Sequence, residues 1–270
     1  MLPIEMLAAD LPADLIGVFT DIDDTLTTDG SLAADVYASL ERLQRLGLAV
    51  VPVTGRPAGW CDMIARFWPV DGVIGENGAF AFRYDRTRRR MLRTFAADAA
   101  TRATQRLRLE ELAGEIVRNV AGTALAADQR YREADVAVDF AEDVPPLESE
   151  AIDEIVAAFE SAGATAKVSS IHVNAWFGSY DKLTMARRFA ADVLDCDLER
   201  ENARFVFVGD SPNDEPMFAF FQNACGVGSV RAFAHRIAHL PRFITTAAGG
   251  DGFLEVVRAI ERARTKPTPA

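Results

Sequence analysis

The sequence predicts an α/β protein: a mostly parallel β-sheet covered by helices on both faces and interrupted by an inserted α+β domain. Short apolar runs of strand length alternate with amphipathic helical stretches near both ends of the chain, which is the pattern of parallel βα units. The middle of the chain instead carries a hairpin-like segment and a second cycle of strands and helices. About a hundred residues separate the two alternating parts, too many for a loop in a compact domain, and this indicates an insertion. The ligand site of such a sheet is expected at the carboxyl ends of its strands.

The parallel sheet is predicted from β-rich apolar runs at residues 15–20, 48–53 and 204–209. Each run has the length of a buried strand. Residues 31–46 carry apolar side chains at helical spacing and stop at Gly47, a residue type that commonly ends helices. Two further helices are predicted at residues 182–194 and 252–263.

The inserted part is predicted to begin with a hairpin over residues 80–95, which turns at 85–88. A long helix from 98 to about 120, a strand at 136–140, a helix at 147–162 before Gly163, and one or two strands within 164–177 are then expected. These elements divide the chain into a core domain of residues 1–81 and 181–270 and an inserted domain of residues 82–180. A short polar tail runs from 265 to 270.

Composition excludes several classes of protein. The 270 residues are 49% hydrophobic and 26% charged, which is ordinary for a globular chain, and the net charge of -11 has the wrong sign for binding nucleic acid or an anionic membrane. No apolar run reaches the roughly 18 residues of a membrane helix, and the N-terminal segment carries acidic residues where a signal peptide would be basic, so a cytoplasmic location is expected. The three cysteines lack metal-site spacing and are expected to be reduced.

Three carboxylates, those of Asp21, Asp23 and Asp24, follow the first predicted core strand. Burying them without partners would be very unfavourable, so they need a cation or a reacting partner. Hard oxygen ligands of this kind suit Mg²⁺ better than a soft metal. The alternative is an acidic, solvated turn, because Asp and Thr are common in turns and helix caps.

Polar residues also follow the other two predicted core strands. One strand stops at Thr54-Gly55-Arg56 and the other at a segment that contains Asp210, Asn213 and Asp214. The carboxyl ends of parallel strands lie at one edge of the sheet, so we expect these side chains to converge there. The alternative for each segment taken singly is a capped turn before a helix. Lys182 is either a solvated helix residue or a clamp for a phosphate group.

In this order the segments resemble the four motifs of the haloacid dehalogenase-like superfamily: DIDDT, VPVTGR, Lys182 within SYDKLT, and GDSPND. The resemblance spans nearly the whole chain. The position of the insertion resembles that of class IIB, which contains Cof-type, sucrose-phosphate and mannosyl-3-phosphoglycerate phosphatases, and the segment Glu76-Asn77-Gly78 strengthens the resemblance. The resemblance implies a Rossmann-like, doubly wound parallel core with a mobile α+β cap that closes over the strand ends.

The resemblance also implies a role for each acidic motif residue. Asp21 would be the nucleophile that forms an aspartyl-phosphate, and Asp23 would act first as general acid and then as general base. Asp21, the backbone carbonyl of Asp23 and Asp210 would hold Mg²⁺, and Asp214 would orient Lys182 or the water shell of the metal. Asp24 is a departure, because many relatives carry glycine at this position.

The remaining motif residues would bind substrate. Thr54 and Lys182 would hold the phosphate oxygens, and Asn213 is a candidate contact to the phosphate or to metal-bound water. Arg56 and Asn77 could reach the substrate, or could be solvated turn residues.

Two features of the cap could select the substrate. In a strand, His172, Asn174 and Trp176 would share one face, which suits a sugar ring, although a solvent-facing sheet surface would show the same alternation. An arginine-rich stretch contains Arg83, Arg86, Arg88, Arg89, Arg90 and Arg93. The favoured interpretation of this stretch is a solvated turn and strand face rather than an anion site.

The sequence therefore predicts a Mg²⁺-dependent phosphatase that acts on a small phosphate monoester, such as a sugar phosphate or a phosphorylated glycoside. The nearest alternative is a phosphomutase of the phosphomannomutase type, which would show the same motifs. A non-catalytic binding protein is the alternative from another class, although such a protein needs no nucleophile paired with an acid. The physiological substrate, the oligomeric state and the extent of cap movement are left open.

Overall fold

The computed structural model describes residues 1–265, so residues 266–270 of the predicted tail lie outside the described part of the chain. The strands are β1 Leu2–Pro3, β2 Gly17–Thr20, β3 Ala49–Pro52, β4 Val73–Gly75, β5 Phe80–Asp85, β6 Arg90–Phe95, β7 Ala124–Leu125, β8 Val136–Asp139, β9 Thr165–Val168, β10 His172–Trp176, β11 Phe205–Gly209, β12 Asn223–Gly226 and β13 Phe243–Ile244. The α-helices are α1 Leu7–Asp10, α2 Ala34–Arg45, α3 Ala58–Phe67, α4 Ala99–Asn119, α5 Ser149–Ser161, α6 Lys182–Leu194, α7 Leu198–Glu201, α8 Glu215–Phe220, α9 Val230–Phe233 and α10 Gly249–Thr265. Single 3₁₀ turns occur at Ile4–Met6, Glu76–Gly78, Gln129–Tyr131, Asn202–Arg204, Pro212–Asp214 and Ala234–Arg236.

A parallel sheet of six strands in the order β1-β13-β12-β11-β2-β3 forms the core. The strands β11, β2 and β3 are neighbours: Thr20 pairs with Val208 on one side and with Pro52 on the other. Their carboxyl ends therefore lie side by side, and these are the ends that carry the polar motifs. The antiparallel sheet β4-β5-β6 adjoins β3 through a bridge between Val53 and Ile74.

Both faces of the core sheet are buried, because successive strand residues point to opposite sides. Val18 and Val206 pack on one face in a hydrophobic cluster that includes residues of α2, α3 and α10. Phe19 and Phe207 pack on the other face in a second cluster, together with residues of α6 and α8. The predicted doubly wound α/β core is confirmed.

The inserted part has a sheet and a hydrophobic cluster of its own. The antiparallel sheet β7-β8-β10-β9 packs against α4 and α5 through a cluster that includes Ile116, Val138, Phe159 and Val173. The side chains that alternate with this cluster along β10, among them Asn174, point towards the core, since a Cβ added to Gly55 would lie 3.3 Å from Asn174 Oδ1. The predicted α+β cap over the core is therefore present.

The predicted helices and strands agree with the structure to within a few residues, and the predicted turn at Gly47 has a positive φ of 78°. The ten-residue helix α3 was not predicted, and neither were the short elements β1, β4, β7, β12, β13, α1, α7, α8 and α9. The three cysteines are free and buried, as expected. Within residues 1–265, no helix combines the length and the apolar character needed to cross a membrane.

The predicted boundary between residues 81 and 82 falls inside β5. Phe80 and Phe82 pack in the cluster that covers one face of the core sheet, and Phe95 packs against it. We therefore propose that the hairpin belongs to the core and that the cap begins after Phe95, and we retain its end at residue 180 as a proposal.

Candidate active site

The structure brings the predicted site residues together at the carboxyl ends of β2, β3 and β11. Asp21 follows β2, Thr54 follows β3, Asp210 follows β11, and Lys182 is the first residue of α6. All four are at most 3% exposed. Buried carboxylates, a hydroxyl and an ammonium group at one edge of a parallel sheet are the arrangement that the sequence predicts.

Lys182 is the positive charge at the centre of this cluster. Its Nζ lies 3.0 Å from Asp21 Oδ2 and 2.7 Å from Asp214 Oδ1. Burial alone would lower the pKa of Lys182, but the two carboxylates raise it, so the lysine stays charged. Burial raises the pKa of Asp21 to about 8, although Lys182 opposes this shift. One ammonium therefore balances the buried carboxylates only in part.

The acidic residues fit a hard divalent cation. Carboxylate oxygens of Asp21, Asp210 and Asp214 lie within 4.8 Å of one another. Asp210 Oδ1 accepts a hydrogen bond from the Thr25 hydroxyl, whereas its buried Oδ2 has no hydrogen-bond partner. Burial and the neighbouring carboxylates raise the pKa of Asp210 well above its usual value, and a cation at Oδ2 would stabilise the charged carboxylate and oppose this shift.

Asp214 differs from Asp210 in that both of its oxygens already accept hydrogen bonds. Oδ1 receives Lys182 Nζ, and Oδ2 receives the backbone N–H groups of Asp210 and Ser211 at 3.0 and 3.3 Å. These bonds fix the loop after β11 and the position of the lysine. We infer that Asp214 positions Lys182, and that Asp21 and Asp210 are the main metal ligands, with Asp214 next to them.

Asp24 adopts a backbone conformation that favours glycine. Its φ is 52°, in the left-handed region, which Asp tolerates better than most residues because its short polar side chain can bond locally. Its N–H donates to Thr27 Oγ1 and its carbonyl accepts from the Ser229 hydroxyl. Glycine adopts this backbone conformation without strain.

Arg56 is not a solvated turn residue. It is 5% exposed and its guanidinium lies 4.5 Å from the ring centre of Trp60. Its Nε and Nη2 donate to both carboxylate oxygens of Asp23 at 2.8 to 3.0 Å, and Nη2 donates to Glu142 Oε1 of the cap at 2.6 Å. Arg56 therefore orients Asp23 and joins it to the cap.

Asn77 is also buried, at 2% exposed, so the solvated alternative is wrong here too. Its Oδ1 accepts a hydrogen bond from Asn213 Nδ2, while its own Nδ2 is buried without a partner. A Cβ added to Gly55 would lie 3.2 Å from this nitrogen, which places the free N–H donors beside the loop after β3. An unused donor next to Thr54 is suited to bind a phosphate oxygen.

Glu76 is a site residue whose role the sequence did not predict, although it lies in the singled-out Glu-Asn-Gly segment. It is fully buried and its carboxylate accepts backbone N–H groups from Ala58 in the core and from Glu133, Ala134 and Asp135 in the cap, at 2.7 to 3.2 Å. Burial and Asp135 raise the pKa of Glu76 to about 8, against the lowering effect of Arg132 and the backbone donors. Glu76 thus joins the cap to the core through hydrogen bonds to both.

The turn that carries Glu76 and Asn77 is held in a strained conformation. Both residues have positive φ, 45° and 54°, which is unfavourable for side chains of this size. Gly78 has φ +103°, and a Cβ there would lie 2.0 Å from the carbonyl oxygen of Asp181, just before Lys182. The turn therefore packs directly against the start of α6. Its Glu76 side chain points to the cap, and its Asn77 side chain points to Asn213.

We expect Glu76→Gln to lower the free energy of unfolding by about 2 kcal/mol, because the amide would turn its NH₂ group towards backbone donors that need an acceptor. Urea denaturation of the variant and the wild type measures the change. Glu133→Gln is the matched control, since the Glu133 side chain is 48% exposed and its nearest ionic partner, Arg102, is 3.8 Å away. Equal stability of Glu76→Gln and Glu133→Gln would contradict the role of the carboxylate.

The two predicted substrate contacts of the cap both lie next to carboxylates, although the buried His172 Nε2 makes no hydrogen bond. His172 Nε2 lies 3.0 Å from Glu142 Oε2, and Asn174 Nδ2 donates to Asp135 Oδ2 at 3.1 Å. Both side chains are buried on the face of β10 that turns towards the core, so the shared face is as predicted and is not open to solvent. Their contact with substrate stays a prediction. The six arginines of the hairpin are exposed, as the favoured interpretation expects.

The chain is similar to known proteins in sequence and in fold. The model of the haloacid dehalogenase-like hydrolase family matches residues 18–135. A phosphoglycolate phosphatase of Haloarcula marismortui is 28% identical over 259 residues, which cover 92% of this chain and 98% of that protein.

Two solved structures share the fold. The sucrose-phosphatase of Synechocystis sp. PCC6803, in complex with sucrose and phosphate, has a TM-score of 0.60 at 15% identity, with 92% of this chain and 98% of that one covered. A subclass IIB sugar phosphatase has a TM-score of 0.63 at 13% identity, with coverage of 92% and 99%. At these identities the likeness establishes the fold.

Proposed function

We propose that this chain is a phosphatase of the haloacid dehalogenase-like type, and that it hydrolyses a small phosphate monoester, a sugar phosphate or a phosphorylated glycoside, with Mg²⁺ bound. The observation that supports this proposal most is the buried cluster of Asp21, Lys182 and Asp210, in which Asp210 keeps one oxygen without a partner. A small-molecule ester as substrate, rather than a nucleic acid or a membrane, and a cytoplasmic location belong to the same proposal.

In the first half-reaction, Asp21 attacks the phosphorus atom and the bond to the alcohol oxygen breaks. Asp23 donates a proton to that oxygen, and the alcohol leaves while the phosphoryl group stays on Asp21. In the second half-reaction, Asp23 takes a proton from water, the water oxygen attacks phosphorus, and inorganic phosphate leaves with the Asp21 carboxylate restored. Arg56, which holds both oxygens of Asp23, would orient it for both transfers.

The phosphate oxygens would be held by donors that the fold already provides. Lys182 supplies a fixed ammonium, Thr54 a hydroxyl, and Asn77 the buried N–H donors that lack a partner. Asp21, the backbone carbonyl of Asp23 and Asp210 would hold Mg²⁺, with Asp214 beside them. The cation would supply positive charge that reduces repulsion between the nucleophile and the phosphate dianion.

The proposal is tested by hydrolysis of p-nitrophenyl phosphate by the purified protein in the presence of Mg²⁺, after treatment with EDTA, and after Mg²⁺ is added back. We expect release of p-nitrophenol with Mg²⁺, loss of activity after chelation, and recovery on addition of the metal. Inactivity in all three conditions would contradict the phosphatase and favour a binding protein. Full activity after exhaustive chelation would contradict the metal.

A further inference from the structure

We propose that the enzyme favours phosphate esters whose alcohol carries an ammonium group, as in amino alcohols or amino sugars, and discriminates against esters whose alcohol carries a carboxylate. This inference rests on the proposed function and names the chemical class of its substrate. Its basis is the charge of the cavity in which the leaving alcohol must lie.

Asp23 locates that cavity. A general acid must lie within hydrogen-bond distance of the oxygen that it protonates, so the leaving alcohol is adjacent to Asp23. Asp23 and Arg56 line a cavity of about 300 Å³ between the loop after β2 and two cap segments, at residues 141–142 and 170–171. Its volume suits a small alcohol or a single sugar ring.

The lining of this cavity is strongly acidic. It contains four carboxylates, those of Asp23, Asp24, Asp29 and Glu142, and one cationic side chain, Arg56. A carboxylate on the substrate would meet like charges in a partly enclosed space, whereas an ammonium group would meet opposite charges. The other lining residues carry no charge: Thr27, Gly30, Ala141, Ser170 and Ile171.

Arg56 offsets only one of the four negative charges of the lining, and protein carboxylates already engage its donors. Nε and Nη2 are bonded to Asp23, and Nη2 and Nη1 reach Glu142 at 2.6 and 3.2 Å. Nη1 also lies 3.5 Å from Asp128. A substrate carboxylate could bind Arg56 only by displacing one of these groups and leaving it unpaired, which is unfavourable.

A second cavity, of about 230 Å³, has two cationic residues in its lining, Lys167 and Lys182, and one acidic residue, Asp181. Asp23 does not line it, so an alcohol bound there would not lie beside the proposed acid. A preference for carboxylated esters would place the leaving group in this cavity and overturn the inference.

The test compares three esters of matched size: 2-aminoethyl phosphate, 2-hydroxyethyl phosphate and 2-phosphoglycolate. With wild-type protein and Mg²⁺ we expect kcat/KM to fall in that order, with at least about a tenfold difference between the first and the last. Equal values or the reverse order would overturn the inference. Hydrolysis of p-nitrophenyl phosphate is measured alongside, because its absence would refute the proposed function itself and this inference with it.

Two variants test whether the acidic cavity causes the selectivity. Asp24→Asn removes one lining charge and should reduce the ratio of kcat/KM for the ammonium ester to that for the carboxylate ester by severalfold. Lys167→Met, its counterpart in the second cavity, should leave this ratio unchanged. A ratio that responds to Lys167→Met and not to Asp24→Asn would show that the alcohol does not lie beside Asp23.

Discussion

Replacing Asp21 with asparagine is expected to lower kcat by at least about 10³-fold, because a side-chain amide cannot form the aspartyl-phosphate on which the proposed reaction depends. Release of inorganic phosphate from p-nitrophenyl phosphate at saturating Mg²⁺ measures the effect. Asp21 is 3% exposed and lies 3.0 Å from Lys182, and asparagine has nearly the same shape as aspartate, so the substitution removes the charge and the nucleophilic oxygen with little change in packing.

Loss of the fold does not account for this result if the variant is as stable as the wild type. Burial raises the pKa of Asp21, which means that its charged form is unfavourable in the folded protein without metal. Asp21→Asn should therefore melt at the same temperature as the wild type, or higher, in EDTA. Asp35→Asn, at an exposed position in the first turn of α2, is the matched control and should keep full activity. Turnover at the wild-type rate in Asp21→Asn would refute the nucleophile.

Lys182→Met is expected to lower the free energy of unfolding in EDTA by about 3 to 5 kcal/mol, the usual consequence of removing one partner of a buried ion pair. The ammonium of Lys182 is the charge that balances Asp21 and Asp214, with Asp210 close by. Methionine fills a similar volume without the charge, so Asp21 and Asp214 would lose the buried cation that they both contact. Urea denaturation measures the loss, with Lys167→Met as the control that should change little.

A second substitution and added metal separate charge from packing in this experiment. Adding Asp214→Asn to Lys182→Met removes one unbalanced carboxylate and should restore part of the lost stability. Mg²⁺ should raise the melting temperature of Lys182→Met by more than that of the wild type, because the cation then supplies positive charge that the lysine no longer provides. Stability of Lys182→Met equal to that of the wild type would contradict the electrostatic role assigned here.

Local patterns in the sequence were sufficient to predict the main helices and strands. The apolar runs that form β2, β3 and β11, and the helical spacing that ends at Gly47, are recognised from the period of apolar residues and from turn-forming residue types. Both signals come from residues that are close together in the sequence. The convergence of Asp21, Thr54 and Asp210 also followed from the sequence, because parallel strands share one carboxyl edge. The short strands β12 and β13 carry too few residues to show a period.

Burial of polar side chains was decided only by the tertiary structure. Arg56 and Asn77 are residue types that are common in ordinary turns. Whether such residues face water depends on what packs over them, which here is Glu142 of the cap and Asn213 of the core. Glu76 is the clearest case, since three of its four backbone donors lie more than fifty residues away along the chain. The sequence by itself determined the elements and the chemistry at the strand ends. The packing of the cap on the core decided which polar groups are shielded from water, because shielding depends on contacts between segments that are distant in the chain.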